Sequence, residues 1–350
     1  MADTMKALVV NAPMDYGIEE KEVPRAPEGG LLLRVLACGL CGSDLRTLRS
    51  GHRKVRLPYT IGHEIAAEVF HTGKGYNGSW KKGERLAVSP LVYCGICFFC
   101  EHNQFEYCIN YREIAQAWPG GFAQYMILPQ EAVTHGTVQR IPEGMDPVHA
   151  TVTEPLSSCV NAQEKGMIGK GDTVLIIGAG PIGTLHLELA RARGVEKIMV
   201  ADISKSRLKL MESYSPDVMI HSASQDLKEE VLIASRGLGA SVVITANSDP
   251  STQVQAVEIA RKGGRILLFG GLPVDRATPG INMNTVHYNG LHLIGTTIFG
   301  PAHNRTALKL LAEGSISAEK FISHRFRLVD FREGAGLALA GKARKVVFIP

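Results

Sequence analysis

The sequence predicts an α/β protein in which a β-rich first domain precedes a parallel α/β domain. Its 350 residues are too many for one small domain and enough for two. Up to about residue 150, short strand-like runs alternate with closely spaced glycines and prolines, which is typical of an all-β unit with long loops. From about residue 160, strands alternate with helices, and this alternation predicts a parallel sheet.

Composition excludes several classes of protein. The chain is 45% hydrophobic and 21% charged, so it has enough apolar surface to fold and is not largely disordered. Thirty-eight basic residues face 34 acidic ones, which argues against nucleic acid as a partner. No apolar run approaches the roughly 20 residues that span a bilayer, and the N-terminus has no signal-peptide pattern. We therefore expect a cytoplasmic protein without a membrane partner.

The expected elements follow in chain order. In the β-rich part, residues 31–36 form a strand after a glycine turn, and a turn at 82–84 leads into another strand. In the α/β part, the apolar run 173–177 is typical of a strand buried on both faces of a parallel sheet. We then expect helices at 182–193 and 204–214 and strands at 197–201, 218–220, 241–244 and 265–269. A helix near 305–313 and a final strand at 345–349 either extend this unit or return to the first domain.

A glycine-rich loop directly follows the 173–177 strand and opens the next helix. It has the GxGxxG pattern and comprises Gly178, Ala179, Gly180, Pro181, Ile182 and Gly183. Glycines at these places permit a tight turn and a close approach of the backbone to a ligand, while the helix N-terminus offers free N–H groups to a pyrophosphate. The alternative is that the glycines merely turn the chain. The context of strand, loop and helix favours a dinucleotide-binding site.

Asp202 ends the next expected strand, at the place where an acidic residue binds the 2′-hydroxyl of an adenosine ribose. Such a carboxylate repels a 2′-phosphate, so we expect NAD as the cofactor in preference to NADP. Two alternatives remain open. Asp202 could simply cap the following helix, and Ser204, Lys205 and Arg207 lie close enough in sequence to hold a phosphate.

Four of the seven cysteines lie within one short segment. They are Cys94, Cys97, Cys100 and Cys108. In a chain without a secretion signal, this spacing indicates metal binding before disulfides. Four thiolates complete a closed tetrahedral zinc site, which stabilises structure and leaves no position for substrate. An iron–sulfur cluster suits the same spacing and stays an alternative, as does a set of buried or redox cysteines.

Further candidate ligands are weak signals when each is taken alone. Cys41 lies in the run Gly39–Asp44, His63 and Glu64 follow Gly62, and Glu154 stands just before the α/β part begins. A lone histidine is more often a structural residue, and a glutamate beside a proline is more often a surface turn residue. Only their combination with the other motifs gives them weight.

Taken together, five motifs resemble the zinc-dependent medium-chain dehydrogenase/reductase family, in the same order along nearly the whole chain. They are Cys-Gly-Ser-Asp at 41–44, Gly-His-Glu at 62–64, the four cysteines, Glu-Pro-Leu at 154–156 and the glycine loop. A cysteine, histidine and glutamate set is similar to the sorbitol (polyol) and threonine dehydrogenase branch. The resemblance implies a GroES-like catalytic domain at 1–155 and 295–350 with two zinc sites, and a Rossmann NAD-binding domain at 156–294. It also implies an active site between the two.

The resemblance also assigns roles to individual residues. Cys41 and His63 match ligands of a catalytic zinc, and either Glu64 or Glu154 matches the carboxylate that completes the set. Ser43 matches the hydroxyl that relays the substrate proton. The family's chemistry is a metal ion that lowers the pKa of an alcohol and a nicotinamide that accepts its hydride.

Two other matches concern the surroundings of the metal. Asp44 matches the carboxylate that orients the zinc-bound histidine. A histidine that many classical alcohol dehydrogenases have five residues after the cysteine is Arg46 here, and His52 is either its substitute or a surface residue.

Substrate signals are thin. Residues 46–56 carry five lysines and arginines, which suit either a phosphate or carboxylate on the substrate or simply a solvated surface. Trp118 either walls the substrate pocket or packs in the core.

We expect an enzyme that oxidises a secondary hydroxyl of a polyol or sugar-like small molecule. The alternatives are a polyol-phosphate (galactitol-1-phosphate-like) dehydrogenase, an L-threonine 3-dehydrogenase, and a non-catalytic relative with a Rossmann fold. The family implies a homo-oligomer, a dimer or a homotetramer, for which the strands 265–269 and 291–294 offer an edge.

Overall fold

The structure is a computed structural model that describes residues 3–52 and 54–350. The chain divides into two compact units. Unit 1 comprises the residues up to Ser157 together with Phe299–Pro350, and unit 2 is Ser158–Ile298. These boundaries fall slightly after the expected ones, which were 155/156 and 294/295.

Unit 1 is built mainly of β-strands. Its strands are β1 (Thr4–Ala12), β2 (Asp15–Glu22), β3 (Leu31–Gly39), β4 (Glu64–Thr72), β5 (Arg85–Val92), β6 (Arg112–Glu113), β7 (Tyr125–Leu128) and β8 (Gly136–Arg140) from the first segment, and β15 (His324–Arg327) and β16 (Val346–Ile349) from the second. Its helices are α1 (Gly42–Ser50), α2 (Phe98–Glu101), α3 (Gln130–His135), α4 (Pro147–Ala150), α11 (Pro301–Ala312), α12 (Ala318–Phe321) and α13 (Phe331–Leu339). Helix α5 (Thr153–Lys165) begins in unit 1 and ends in unit 2.

An eight-stranded sheet organises unit 1. Its strand order is β15-β16-β3-β4-β5-β6, with β7 paired to β3 and β8 paired to β5, while β1 and β2 form a separate hairpin. The C-terminal strand β16 pairs antiparallel with β3, where Val347 lies opposite Gly39. The last segment of the chain thus returns to the first domain. This answers a question that the sequence pattern left open.

Unit 2 has six strands and five helices of its own. The strands are β9 (Thr173–Ile177), β10 (Lys197–Asp202), β11 (Val218–His221), β12 (Ala240–Thr245), β13 (Ala260–Leu268) and β14 (His292–Gly295). The helices are α6 (Pro181–Ala192), α7 (Lys205–Met211), α8 (Leu227–Ala234), α9 (Pro250–Ile259) and α10 (Met283–Asn289). All strand pairs of the sheet are parallel, in the order β11-β10-β9-β12-β13-β14. This is the strand order of a Rossmann fold, so the predicted fold class is confirmed.

Burial explains why the central strands of unit 2 are mostly apolar. Four of the five β9 residues are buried, because α-helices cover both faces of the sheet. Helix α6 presents Leu187 and Ala190 to the core beside β9. Helix α9 begins after Asp249, whose side chain caps it, and covers the sheet with Ala256.

Three expectations about elements need correction. The strand expected at 265–269 is the end of β13, which lies between β12 and β14 and therefore offers no edge; β14 is the edge strand. Residues 46–50 belong to helix α1, an element that the sequence pattern did not predict. The helix expected at 204–214 is α7 followed by a 3₁₀ turn at 212–214. None of the helices in the described part of the chain combines the length and the apolarity that crossing a membrane requires.

Candidate metal and cofactor sites

Three side chains with metal-ligating atoms converge in unit 1, where β3 ends and β4 begins. Cys41 follows β3 and precedes α1, His63 directly precedes β4, and Glu64 is the first residue of β4. The ligand atoms of these three residues all lie within 4.8 Å of one another. Pairing of β3 with β4 brings them together, because Gly39 at the end of β3 lies opposite Glu64.

A glycine before the histidine allows this approach. Gly62 has φ +102°, a conformation that side chains rarely adopt. A Cβ at this place would lie 2.7 Å from Phe122 and 2.9 Å from the Cys38 sulfur. Cys38 itself is fully buried.

Asp44 fixes the orientation of His63. Asp44 Oδ1 lies 3.3 Å from His63 Nδ1, and its Oδ2 accepts a 3.0 Å hydrogen bond from the Cys41 N–H. Burial lowers the pKa of His63, but the Asp44 carboxylate and Cys41 more than offset this and hold it well above its usual value. Ser43 Oγ lies 3.3 Å from the other ring nitrogen, Nε2. The Nε2 edge of the ring therefore faces Ser43.

A buried ion pair supports Glu64. Lys345 Nζ donates to Glu64 Oε2 and to the Leu40 carbonyl, the latter at 3.0 Å. Glu64 Oε1 is buried and has no hydrogen-bond partner among the described residues. A buried acceptor without a partner is costly, and a cation would satisfy it. The sequence offers only one signal for Lys345, a lysine directly before a wholly apolar strand, and that signal did not identify it as a partner of Glu64.

Glu154 lies near this cluster without belonging to it. It stands in the first turn of α5, whereas the three mutually close ligand atoms come from Cys41, His63 and Glu64. Burial raises the pKa of Glu154 to about 7. The charges of Glu64 and His63 also act on it, in opposite directions.

The chemistry of this donor set fits a catalytic metal. Catalytic zinc sites combine three protein ligands of the cysteine, histidine and carboxylate types with one open position. Cys41, His63 and Glu64 offer one ligand of each type. The unsatisfied oxygen of Glu64 is the observation that favours a cation here.

The four cysteines form a second candidate site between β5 and β6. The Cys94–Cys108, Cys97–Cys100 and Cys94–Cys100 sulfur distances are 3.5, 3.6 and 3.9 Å. Tetrahedral zinc with Zn–S bonds of about 2.3 Å requires sulfur atoms about 3.8 Å apart. Disulfide bonds would need about 2.05 Å. The arrangement therefore fits a metal ion with four thiolate ligands.

The local environment shifts the pKa values of two cysteines of this quartet. Cys97 precedes helix α2, and the backbone N–H of Cys100 is the main reason why the pKa of Cys97 falls to about 6. Burial raises the pKa of Cys100 to about 12. A bound cation would stabilise the thiolate form of both.

The glycine loop of unit 2 connects β9 with α6. Gly178 has φ +123°, and a Cβ there would lie 2.8 Å from the Ala246 carbonyl oxygen. A Cβ at Gly183 would overlap the Gly178 carbonyl oxygen, so this glycine permits the helix to pack against the loop. Gly180, by contrast, has open space at its Cβ position. That open space at a helix N-terminus fits a pyrophosphate.

The first turn of α6 completes the loop. Pro181 occupies the first helical position, where its missing N–H leaves no hydrogen bond unmade. Ile182 follows it and is partly buried.

Asp202 ends β10 beside this loop. Its Oδ2 accepts a 2.8 Å hydrogen bond from Ala179 N–H, and its Oδ1 accepts one of 2.8 Å from Ser204 N–H. Arg207 Nη1 lies 4.0 Å from the carboxylate. Ser204, and not Asp202, caps α7.

A cavity of about 270 Å³ opens at Asp202 and is also lined by Arg207, Asn247 and Arg276. It lies at the carboxyl ends of β9, β10 and β12, where Rossmann folds bind their ligand.

The basic segment has a mostly exposed surface. Arg46 and Arg49 are exposed residues of α1, and Lys54 and Arg56 are exposed beyond it. Arg53 lies outside the described residues. Trp118 packs at the edge of the unit 1 core with the Arg112 guanidinium 4.0 Å from its ring centre.

The fold and the two kinds of site define a class of protein. A β-rich unit with zinc-type ligands and a Rossmann unit with a dinucleotide loop belong to dehydrogenases that use zinc and a nicotinamide cofactor. Comparison with known proteins agrees. Residues 27–142 match the alcohol dehydrogenase GroES-like domain, and residues 181–313 match the zinc-binding dehydrogenase domain.

Full-length relatives extend this result. The chain is 30% identical to the L-threonine 3-dehydrogenase of Thermococcus kodakarensis, over 100% of this chain and 99% of that protein. It is 30% identical to the sorbitol dehydrogenase of Halalkalibacterium halodurans, over 99% of each. A Sinorhizobium meliloti protein described as a zinc-binding dehydrogenase, solved bound to NADP, superposes with a TM-score of 0.90 at 28% identity over 99% of both chains. The chain belongs to the zinc-dependent medium-chain dehydrogenase/reductase family, in its polyol and threonine dehydrogenase branch.

Proposed function

We propose that this chain oxidises a secondary hydroxyl of a polyol or sugar-like substrate to a ketone and transfers the hydride to NAD. The observation that carries the proposal is the convergence of Cys41, His63 and Glu64 beside the Ser43 hydroxyl. The sorbitol dehydrogenase relative supports the substrate class.

Two zinc ions per chain form part of this proposal. Cys41, His63 and Glu64 would hold a catalytic ion, and Glu154 is the alternative carboxylate for that set. The four cysteines would hold a structural ion.

Ser43, Asp44 and Lys345 each have a distinct role in this proposed mechanism. When bound, zinc supplies Lewis acidity that lowers the pKa of the substrate hydroxyl, and the nicotinamide supplies the hydride acceptor. Ser43 Oγ lines the small cavity beside His63, so it is placed to relay the proton of the reacting hydroxyl, accepting that proton while passing its own hydroxyl proton on to solvent. Asp44 holds the imidazole in one orientation through Nδ1. Lys345 offsets the charge of Glu64 and fixes its position.

Turnover of a substrate panel tests the proposal. NAD⁺ reduction would be followed with neutral polyols, polyol phosphates, L-threonine and simple secondary alcohols, at fixed zinc. We expect the highest kcat/KM with a neutral polyol. Turnover of phosphorylated substrates alone would replace the proposal with a polyol-phosphate dehydrogenase, and the exposed cations at 46–56 would become its specificity element. Turnover of L-threonine alone would assign the enzyme to that amino acid.

The preference for NAD depends on the charge of Asp202. Asp202→Asn keeps the size of the side chain but removes the charge that accepts ribose hydrogen bonds and repels a 2′-phosphate. Because a hydrogen bond to a charged group contributes about 1.5–3 kcal/mol, we expect kcat/KM for NAD⁺ to fall about tenfold or more. Activity with NADP⁺ should rise. Steady-state kinetics with both cofactors measures the ratio.

Asp226→Asn is the matched control, because Asp226 caps helix α8 and asparagine caps equally well. An unchanged cofactor ratio in Asp202→Asn would remove the role given to Asp202. The homo-oligomeric state and the cytoplasmic location stay predictions.

A further inference from the structure

Two cavities in unit 1 share the side chains of Glu113 and Gln116. The inner cavity, of about 90 Å³, is also lined by Ser43 and His63 of the candidate catalytic site. The outer cavity, of about 190 Å³, is also lined by Lys54. The Glu113–Gln116 pair therefore borders the space in which a substrate would meet Ser43. The sequence analysis did not single out either residue.

The backbone holds this pair in place. Glu113 belongs to the short strand β6 and lies opposite Leu91 of β5. The N–H groups of Gln116 and Ala117 both donate to the Glu113 carbonyl, at 3.2 and 2.8 Å. Ala115, which lies between Glu113 and Gln116 in the chain, has φ +70°, a value that residues with a side chain rarely adopt. A tight turn thus fixes both side chains relative to the sheet.

The polar atoms of the pair suit a hydroxyl group. Gln116 Nε2 donates a hydrogen bond to Glu113 Oε2. The Tyr111 hydroxyl also donates to the Glu113 carboxylate. Because a carboxylate has about four acceptor sites, it keeps capacity to accept a further hydrogen bond, as does the amide oxygen, and the second amide hydrogen remains as a donor. A hydroxyl both donates and accepts hydrogen bonds. An ammonium group only donates, and a phosphate dianion only accepts.

The charges around the Glu113–Gln116 pair disfavour the binding of a substrate ammonium group. Burial raises the pKa of Glu113, and the charges of Lys54 and His63 oppose that rise. Burial lowers the pKa of His52, which lines the same inner cavity, and the positive charges of Lys54 and Arg46 lower it further. The Lys54 ammonium already lies near the Glu113 carboxylate and would repel a second ammonium group there. A neutral donor fits this field better than an ammonium group does.

We propose that the Glu113–Gln116 pair binds a hydroxyl on the carbon next to the reacting one, and so selects polyhydroxylated substrates over simple secondary alcohols. The inference deepens the proposed dehydrogenase function and rests on it. Glu113 provides the carboxylate acceptor, and Gln116 orients it. The hydroxyl that reacts would meet Ser43 in the inner cavity.

A pair of substrates that differ by one hydroxyl tests this directly. Steady-state kinetics of the wild-type enzyme and Glu113→Leu would be measured with 2,3-butanediol, with 2-butanol and with the best polyol of the panel. We expect kcat/KM for the diol and the polyol to fall about 10- to 100-fold, as for the loss of a hydrogen bond to a charged group. We expect kcat/KM for 2-butanol to change less than about threefold. Glu143→Leu, on an exposed loop of the same unit, is the matched control.

A second variant keeps the test decisive if Glu113→Leu does not fold. Gln116→Leu removes the orienting amide, and we expect a smaller loss that is again confined to the diol and the polyol. If either folded variant lowers the diol and 2-butanol equally, the inference is wrong while the proposed function stands.

The substrates of the wild-type enzyme distinguish a failure of the proposed function from a failure of the inference about Glu113 and Gln116. If it oxidises no polyol, the proposed function itself fails. If it then oxidises L-threonine and Glu113→Leu removes that activity selectively, the pair binds an ammonium group, which overturns the inference.

Discussion

His63→Ala is expected to lower kcat/KM by at least about 10³-fold with every substrate, because it removes one ligand of the candidate catalytic zinc. Stabilisation of the developing charge by a metal ion contributes several kcal/mol, and each 1.36 kcal/mol changes the rate tenfold. Metal analysis of the purified protein should fall from about two zinc ions per chain to about one, because the four cysteines lie elsewhere in unit 1. Cys41→Ala should behave in the same way.

His71→Ala provides the matched control for this experiment. His71 lies on the same strand, β4, and is exposed. We expect its variant to keep both its activity and its zinc content. A His63→Ala enzyme with near-normal kcat and a full zinc content would contradict the assignment of the catalytic site.

Lys345→Met is expected to destabilise unit 1 by about 3–5 kcal/mol. The reason is the charge that it leaves behind: Lys345 and Glu64 form an ion pair with side-chain exposures of 4% and 1%. Breaking such a pair leaves one buried charge without a partner, which costs far more than the loss of an exposed pair. Urea unfolding of zinc-depleted protein measures the effect without compensation from a metal ion.

Tryptophan fluorescence makes this measurement specific to unit 1. The chain has two tryptophans, Trp80 and Trp118, and both lie in that unit. Lys342→Met, at an exposed position three residues away, should change the free energy of unfolding by no more than about 0.5 kcal/mol. In the double variant Glu64→Gln, Lys345→Met, removal of both charges should recover part of the loss. A cost below about 1 kcal/mol for Lys345→Met alone would show that the pair contributes little.

Local patterns in the sequence predict much of this protein. The central strands of unit 2 are mostly apolar because both of their faces are buried, and 173–177 was predicted with the bounds that the structure gives. The glycine loop could be predicted because only glycine permits the backbone conformation at Gly178 and the close contact between Gly183 and the Gly178 carbonyl oxygen. The cysteine quartet could be predicted because three of its members lie within seven residues. In each case the physical constraint acts between near neighbours in the chain.

The surroundings of the candidate catalytic site depend on contacts between distant parts of the chain. Lys345 lies 281 residues from Glu64 and reaches it only because the C-terminal segment returns to pair with β3. No local sequence pattern predicts that return, because the helix and the strand near the end of the chain could equally have extended the α/β unit. Glu113 likewise meets Ser43 and His63 around one cavity only after β5 and β6 have paired. The local motifs and the family resemblance that they carry thus predicted the chemistry, whereas strand pairing across the chain determined which side chains lie around the candidate metal site and the candidate substrate cavity.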